Sequence, residues 1–336
     1  MIVVENVTKY YGSHAAVADL SFRIEEGECV GFLGLNGAGK TTTLKLLSCL
    51  LLPTSGRATI RGLDVEASPH EIRKFIGFLP DTPPLYDEMS VRDYLRFAGK
   101  LRGMGSRDVE ARLPEVIDDA GLGEVADEPI ATLSHGYRQR VGIGQAIVHK
   151  PALLILDEPI NGLDPVQIVE MRELIRRLRG KHTILLSTHI LSEIEQTCDR
   201  ILMLSRGRVA AQGTEEDLLA RFSRSAMLEI EVDSRPDFRI PDAAALAAAL
   251  LQLDGVTGAD VRSPSRPESV RLAISSDRDV RASVAKLIVG EGYALHELAQ
   301  RSTGLEEVFV ELTRGAVQAP ALGVVPPAMP TEGASA

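Results

Sequence analysis

Short apolar segments recur along the first two thirds of the chain, each bounded by turn residues or by a stretch of helical periodicity. They predict strands at residues 2–4, 21–24, 29–33, 58–60, 77–79, 153–156, 183–187 and 200–204. Ser90 is a suitable N-cap for a helix that runs to about residue 102. Strands that alternate with helices predict a largely parallel sheet covered by helices. We expect this α/β domain to occupy residues 1–222, with a helical subdomain at about residues 85–150.

The pattern changes after residue 222, where a second alternation of strands and helices begins. Its segments follow the order β-α-β-β-α-β, at residues 227–232, 242–253, 256–261, 269–274, 278–290 and 294–298. This is the order of the ferredoxin-like split motif. An amphipathic helix is predicted next, and its apolar face consists of Leu305, Val308, Phe309 and Leu312. We expect a small α+β accessory domain at residues 223–314 and a disordered tail, rich in Pro, Ala and Gly, at residues 315–336.

Composition excludes several classes of protein. The formal net charge of −10 argues against a protein that holds nucleic acid through a basic surface, so no nucleic-acid partner is expected. Cys29, Cys49 and Cys198 form no CxxC pair, which predicts neither a disulfide framework nor a zinc site. No apolar run approaches the roughly 18 to 20 residues of a membrane helix, and no signal peptide is evident at the N-terminus. We therefore expect a cytoplasmic protein that reaches a membrane only through a partner.

A glycine-rich loop lies between a predicted strand and a predicted helix. Residues 34–42 read Gly-Leu-Asn-Gly-Ala-Gly-Lys-Thr-Thr, a spacing typical of loops that wrap the phosphates of a nucleoside triphosphate. Phosphate contacts are expected from Asn36, Gly37, Ala38, Gly39, Lys40, Thr41 and Thr42. We expect Lys40 to reach the β- and γ-phosphates and the Thr41 hydroxyl to ligate Mg²⁺. The structural alternative, a glycine turn before a helix, fits this context poorly.

Two carboxylates and one histidine follow predicted strands. Asp157 and Glu158 come after the strand at residues 153–156, and the carboxyl ends of parallel strands border the ligand crevice of such sheets. We expect Asp157 to hold Mg²⁺ through water and Glu158 to polarise the attacking water. His189 reaches the same edge and is expected to sense the terminal phosphate, although a lone histidine is more often structural. The histidines without such a context, among them His14, are assigned no role.

These motifs resemble the ATP-binding subunit of ABC transporters over residues 2–222. Residues 133–140, Leu-Ser-His-Gly-Tyr-Arg-Gln-Arg, are similar to the family signature, and residues 161–164, Asn-Gly-Leu-Asp, to the loop that communicates across the dimer. The resemblance implies a homodimer that binds ATP with Mg²⁺, in which Ser134 and Gly136 contact the γ-phosphate held by the opposite subunit. It further implies that Tyr11 stacks on adenine and that Asp164 acts at the dimer interface. A phosphate-binding loop alone leaves one side of the γ-phosphate open, which favours a second subunit over a plain surface helix at Ser134.

Two positions depart from the family pattern. Asp81 stands where the family usually has glutamine; its carboxylate can approach Mg²⁺ but cannot donate a hydrogen bond when ionised, which leaves its coupling role open. His135 and Tyr137 stand in place of the commoner Gly-Gly-Gln surroundings of the family signature, whereas Ser134 and Gly136 are retained.

Residues 77–86, 133–140 and 304–310 resemble gliding-motility-type and multidrug-export-type ATPases. This resemblance implies separate transmembrane permease subunits, an export direction and a position on the inner face of the cell membrane. The alternative is a soluble ABC-type ATPase with a task other than transport. The accessory domain is compatible with a regulatory role in either case, since its fold alone decides no function.

Overall fold

The computed structural model describes residues 1–222, 226–233, 242–266, 269–301 and 305–314. Its strands, numbered along the chain, are β1 (Ile2–Tyr11), β2 (His14–Ile24), β3 (Cys29–Leu33), β4 (Ser55–Ile60), β5 (Leu63–Asp64), β6 (Ile76–Leu79), β7 (Leu153–Asp157), β8 (Thr183–Thr188), β9 (Arg200–Ser205), β10 (Arg208–Gly213), β11 (Ala226–Asp233), β12 (Val256–Arg262), β13 (Val270–Ser276) and β14 (Ala294–Arg301). Its α-helices are α1 (Lys40–Leu47), α2 (Pro69–Arg73), α3 (Val91–Leu101), α4 (Ser106–Asp119), α5 (His135–Ile147), α6 (Pro165–Leu178), α7 (Leu191–Thr197), α8 (Glu215–Phe222), α9 (Ala243–Leu250), α10 (Arg281–Gly290) and α11 (Leu305–Arg314).

A six-stranded sheet forms the centre of the first domain, with the order β10-β9-β3-β8-β7-β6. All neighbours pair in parallel except β10, which runs antiparallel to β9 at one edge. Strands β3 and β7 are buried along their whole length, as their uninterrupted apolar sequences require. The predicted parallel sheet is therefore confirmed, and the carboxyl ends of β3, β7 and β8 lie side by side.

A second, antiparallel sheet packs beside it, with the order β2-β1-β4-β5. Its buried residues share a core with helix α1 and with Phe32 of the central sheet. The first two strands are longer than the predicted segments 2–4 and 21–24. Other positions of these strands, such as Glu5 and Lys9, face solvent or lie half-buried. The strands are therefore longer than their apolar segments, because pairing between the strands extends over the polar positions too.

Helices α3, α4 and α5 build the helical subdomain on the other side of the central sheet. Ser90 caps α3 as predicted, because its Oγ accepts a hydrogen bond from the Asp93 amide at 3.1 Å. The apolar faces of the three helices share one core with β7 and α6. This core fixes the start of α5, where residue 134 of the signature lies.

The accessory region has the strand order β12-β13-β11-β14, with every neighbouring pair antiparallel. Helices α9 and α10 cover one face through an apolar core that includes Ile230, Leu250 and Ile288. The element order and the sheet order are those of the predicted ferredoxin-like arrangement.

The last helix, α11, packs on the first domain. Its buried residues Leu305, Val308 and Leu312 share a core with Met203 of β9 and Leu218 of α8. The predicted apolar face is thus confirmed, and it packs on β9 and α8 of the first domain. The domain boundaries at residues 222 and 314 remain a prediction, and the predicted tail at residues 315–336 lies outside the described residues. Among the described residues, no helix combines the length and the apolar content that crossing a membrane requires.

Candidate nucleotide-binding site

The loop between β3 and α1 brings backbone amides and one lysine to the edge of the central sheet. Gly37 and Gly39 adopt left-handed backbone conformations, with φ of 83° and 101°. A Cβ atom at Gly39 would lie 2.6 Å from the carbonyl oxygen of Ala16, so only glycine fits there. No side chain of the described residues caps the N-terminus of α1, and its first amides are available to an anion.

Lys40 is the first residue of α1 and its side chain is 6% exposed. Its ammonium group donates to the carbonyl oxygen of Gly34 at 2.7 Å and lies 3.2 Å from Oε1 of Glu158. Among the described residues, this buried ammonium contacts one carbonyl and one carboxylate, and a phosphate oxygen can replace the carboxylate as its partner. The loop and the lysine together suit a polyphosphate.

Asp157, the last residue of β7, lies buried below the loop. Its Oδ1 accepts hydrogen bonds from Ser187 Oγ at 2.6 Å and from Thr41 Oγ1 at 3.2 Å. Burial raises the pKa of the Asp157 carboxyl, and the charges of Glu158 and Asp81 act in the same direction, whereas the two hydrogen bonds oppose it. Such a carboxylate gains from a nearby cation.

The oxygen ligands around Asp157 fit Mg²⁺. The Thr41 hydroxyl lies against the Asp157 carboxylate, and Asp81 lines the same cavity. Mg²⁺ binds one or two protein carboxylates and keeps water and phosphate as its other ligands. Within the part of the chain that the structure describes, no cluster of three or more His, Cys, Asp or Glu side chains could hold a metal ion.

Glu158 follows β7 in a left-handed conformation, with φ of 48°, which is unusual for a residue with a side chain. Its amide lies 3.1 Å from both the carbonyl oxygen and the hydroxyl of Ser187. Its carboxylate bridges Lys40 and His189, because Oε2 lies 2.9 Å from Nδ1 of His189. Since a carboxylate accepts, Nδ1 carries the proton in this contact. The turn therefore aims Glu158 into the cavity beside the lysine.

These side chains surround a cavity of about 510 Å³. Its lining comprises His14, Ala16, Leu35, Asn36, Gly37, Gly39, Lys40, Thr41, Thr42, Asp81, Glu158, Asn161 and His189. The structure thus brings together most of the predicted phosphate, metal and catalytic residues. Ala38 lies in the loop, buried and outside the lining.

Four predicted site residues lie away from this cavity. Tyr11 ends β1 with 49% of its surface exposed, and the Lys9 ammonium lies 5.8 Å from its ring centre. Ser134 caps α5, Asp164 caps α6 through the amides of residues 166 and 167, and Gly136 is buried at the start of α5. The expected roles of Ser134, Gly136 and Asp164 at a second subunit stay predictions, as does the expected contact of Tyr11 with adenine.

Three contributors were not assigned from the sequence. His14 pairs with Tyr11 across the hairpin and lines the cavity, and only strand register reveals this. Ser187 lies opposite Asp157 in the pairing of β7 with β8, so its place at a strand end could have indicated it. Asn161 lines the cavity beside Glu158.

The loop that begins at Asp81 contacts the signature helix. The carbonyl oxygen of Asp81 accepts a hydrogen bond from Nε2 of Gln139 at 3.2 Å. Gln139 is 1% exposed, and its Oε1 is buried with no hydrogen-bond partner among the described residues. The backbone position of Asp81 is thus tied to α5, while its carboxylate faces the cavity.

The fold and this cavity define a P-loop nucleotide-binding protein. Residues 17–161 match the family described as ABC transporter. The daunorubicin resistance ATP-binding protein DrrA3 of Streptomyces coeruleorubidus is 34% identical over 316 residues, covering 93% of this chain and 95% of that protein. The Nod factor export ATP-binding protein I of Ralstonia nicotianae is 32% identical over 320 residues, covering 93% and 94% respectively.

A solved structure shares the fold of the first domain. A dimeric post-hydrolysis state of the ATP-binding cassette MJ0796, bound to ADP and Pi, aligns with a TM-score of 0.58 at 26% identity, over 64% of this chain and 98% of that one. The chain belongs to the ATP-binding proteins of ABC transporters. It is an ATPase of that family.

Proposed function

We propose that this chain is the ATP-hydrolysing subunit of an ABC exporter, with Glu158 as the catalytic base. One observation carries the assignment: the Glu158 carboxylate lies between the Lys40 ammonium and the His189 imidazole, at 3.2 and 2.9 Å, on the wall of the 510 Å³ cavity. A carboxylate in this place can take a hydrogen bond from the water that attacks the γ-phosphate.

We assign a different role in phosphoryl transfer to each group of residues around the cavity. The loop amides and the N-terminus of α1 bind the phosphate chain, and Lys40 moves a hydrogen bond from Glu158 to the β- and γ-phosphates. The released Glu158 carboxylate then polarises water. His189 orients that carboxylate through Nδ1 and faces the terminal phosphate with the rest of its ring.

Thr41, Asp157 and Asp81 are the residues that would hold Mg²⁺. The ion would neutralise charge on the β- and γ-phosphates. The Ser187 hydroxyl keeps the Asp157 carboxylate in place for this role, through the 2.6 Å hydrogen bond.

We infer that two copies of the chain act as a homodimer. Ser134 is exposed at the N-terminus of α5, outside the cavity of its own chain, and its segment can close the open side of a partner's γ-phosphate. Asp164 caps the start of α6, whose Gln167 lies close to Gly136. ABC ATPases in general dimerise and work with transmembrane subunits, and the relative from Ralstonia nicotianae is named for Nod factor export.

Separate permease subunits would convert closure of this dimer into movement of a substrate. The chain would then lie on the inner face of the cell membrane, held there by those subunits. The transported substance is set by the permease, so no substrate is assigned.

Glu158→Gln tests the catalytic assignment. The amide keeps the size of the side chain but cannot act as a base, so hydrolysis should fall at least about 100-fold while ATP binding persists. The variant should form an ATP-dependent dimer in size-exclusion chromatography. The exposed Glu124 provides a matched control as Glu124→Gln, which should hydrolyse and elute like the unmodified protein. Wild-type hydrolysis by the Glu158 variant would remove the base assignment.

Extraction of native membranes with mild detergent tests the transport assignment. Affinity purification of the full chain should recover hydrophobic subunits in fixed stoichiometry. Recovery of soluble partners alone would favour an ABC-type ATPase with another task.

A further inference from the structure

His135 makes a contact that a glycine at this position cannot make. It is the first residue of α5, and its Nε2 lies 3.1 Å from the carbonyl oxygen of Asn161. A carbonyl oxygen only accepts, so Nε2 carries the hydrogen and donates. The ring also packs on Gly162, because a Cβ atom added there would lie 3.4 Å from the same nitrogen. The imidazole thus both donates to and covers the loop after Glu158.

Asn161 connects this contact to the cavity. Its amide donates to the carbonyl oxygen of Glu158 at 3.1 Å, and Asn161 itself lines the cavity. Two consecutive hydrogen bonds therefore run from the backbone of Glu158 through Asn161 to the ring of His135.

The same two segments touch at a second point. A Cβ atom at Gly136 would lie 2.7 Å from the side-chain amide of Gln167, so the start of α5 approaches the start of α6 closely. Asp164 Oδ1 accepts a hydrogen bond from the backbone N–H of Gln167 at 2.9 Å, which orders this end of α6. The start of α5 thus packs against the ordered start of α6, and the hydrogen bond from His135 to Asn161 fixes the position of α5 there.

We propose that His135 is a positioning residue that holds the signature segment, residues 134–136, at a fixed place relative to residues 158–164 of the same chain. The proposal rests on the proposed function: in the homodimer, Glu158 acts on the nucleotide of its own chain and Ser134 on that of the partner. The hydrogen bond therefore links the two nucleotide sites, and a movement of the loop at one site moves the signature segment at the other.

Three variants separate the hydrogen bond from packing. His135→Phe keeps an aromatic ring over Gly162 and removes the donor, His135→Gln keeps an N–H donor, and His135→Gly restores the commoner family residue. The exposed His70 supplies the control His70→Phe. ATP hydrolysis is measured against ATP concentration for each full-length variant.

We expect His135→Phe and His135→Gly to need about 2- to 10-fold more ATP for half-maximal hydrolysis, the factor given by one ordinary hydrogen bond. Their Hill coefficient should fall towards one. His135→Gln and His70→Phe should stay within about 2-fold of the unmodified protein. A purely structural role of the ring would leave the Phe variant unaffected.

Hydrogen exchange of the amides in residues 158–164 tests the contact without turnover. Exchange should be faster in the Phe variant than in the Gln variant. The inference is overturned if the Phe variant matches the unmodified protein in exchange and hydrolysis, or if the Gln variant is as impaired as the Phe variant. Failure of the proposed function has a different signature, since Glu158→Gln would then give no ATP-dependent dimer.

Discussion

Ser187 anchors the backbone amide of Glu158, which has a left-handed conformation. Ser187 receives the Glu158 amide on its carbonyl oxygen and its hydroxyl, and it donates that hydroxyl to Asp157. One serine therefore orients both carboxylates of the site, at a backbone geometry that costs on the order of 1 kcal/mol or more. This arrangement makes Ser187 more important for activity than its small side chain would indicate.

Ser187→Ala should lower ATP hydrolysis by about 10- to 100-fold, the usual effect of losing a residue that orients metal ligands. Asp157 loses its 2.6 Å hydrogen bond and Glu158 loses one of its two anchors. Steady-state hydrolysis at varied Mg²⁺ should show a raised Mg²⁺ requirement. Ser106→Ala, at an exposed serine of α4, is the control, and equal rates for the two variants would contradict this role.

His149 makes stability depend on pH. Burial lowers the pKa of its imidazole from 6.5 to about 4, and the charge of Arg102 acts in the same direction. Its Nε2 lies 3.1 Å from the carbonyl oxygen of Ile76, whereas Nδ1 is buried with no hydrogen-bond partner among the described residues. Protonation would give the buried Nδ1 a hydrogen and the ring a charge, at a place where no described residue accepts a hydrogen bond from it.

Between about pH 4 and pH 6.5 the unfolded chain binds a proton at residue 149 that the folded protein does not. The free energy of unfolding should therefore rise with pH across this interval, by about 2–3 kcal/mol from this group. Urea titrations at several pH values measure the slope. His149→Gln should flatten it, and His70→Gln, at an exposed histidine, should not.

At the level of elements, the pairing of β7 with β8 assembles the catalytic edge. Register places Asp157 opposite Ser187, so residues 30 positions apart in sequence meet through strand pairing. Helix α11 joins segments that are more distant in sequence, because its apolar face shares a core with Met203 of β9 and Leu218 of α8. The end of the described chain thus stabilises the ATP-binding domain directly.

Val308→Ala should lower the free energy of unfolding of the ATP-binding domain by about 1–3 kcal/mol, since Val308 is fully buried in that core. Val310→Ala removes the same atoms from a side chain that is 41% exposed, and its effect should stay below about 0.5 kcal/mol. Chemical denaturation followed by a probe in the first domain measures both. Equal effects would show that α11 does not support this domain.

At the scale of the whole molecule, the proposed homodimer would make the cavity one half of a nucleotide site. It presents a phosphate loop, carboxylates and His189 on one side, while Ser134 lies at the start of another element, outside the lining. Stability, dimerisation and ligand binding should then be coupled through mass action.

Glu158→Gln protein should unfold at a higher temperature with ATP and Mg²⁺, because ligand at about 100 times its Kd adds roughly 2.7 kcal/mol. A chelator in excess should remove most of this gain and the dimer, since Thr41 and Asp157 would lose the ion that links them to the phosphates. Differential scanning fluorimetry and light scattering check the two effects. An unchanged melting temperature with chelator would argue against a metal at these residues.

Many residues of this site could be predicted from local sequence motifs. Residues 34–42 form a phosphate loop wherever a strand precedes and a helix follows, because glycine geometry and amide direction are local properties. His14 and Ser187 could not be found in this way. Each reaches the cavity through strand register, and register depends on pairings between distant segments.

The amino-acid sequence was enough to identify the phosphate loop, the carboxylates of Asp157 and Glu158, the β-α-β-β-α-β accessory order and the apolar face of α11. These follow from short-range patterns of hydrophobicity, turn residues and charge. The tertiary structure alone decided that Glu158 bridges Lys40 and His189, that His135 reaches the loop after Glu158, and that α11 packs on the ATP-binding domain. Those contacts depend on how whole elements pack, because packing joins residues that no local pattern relates.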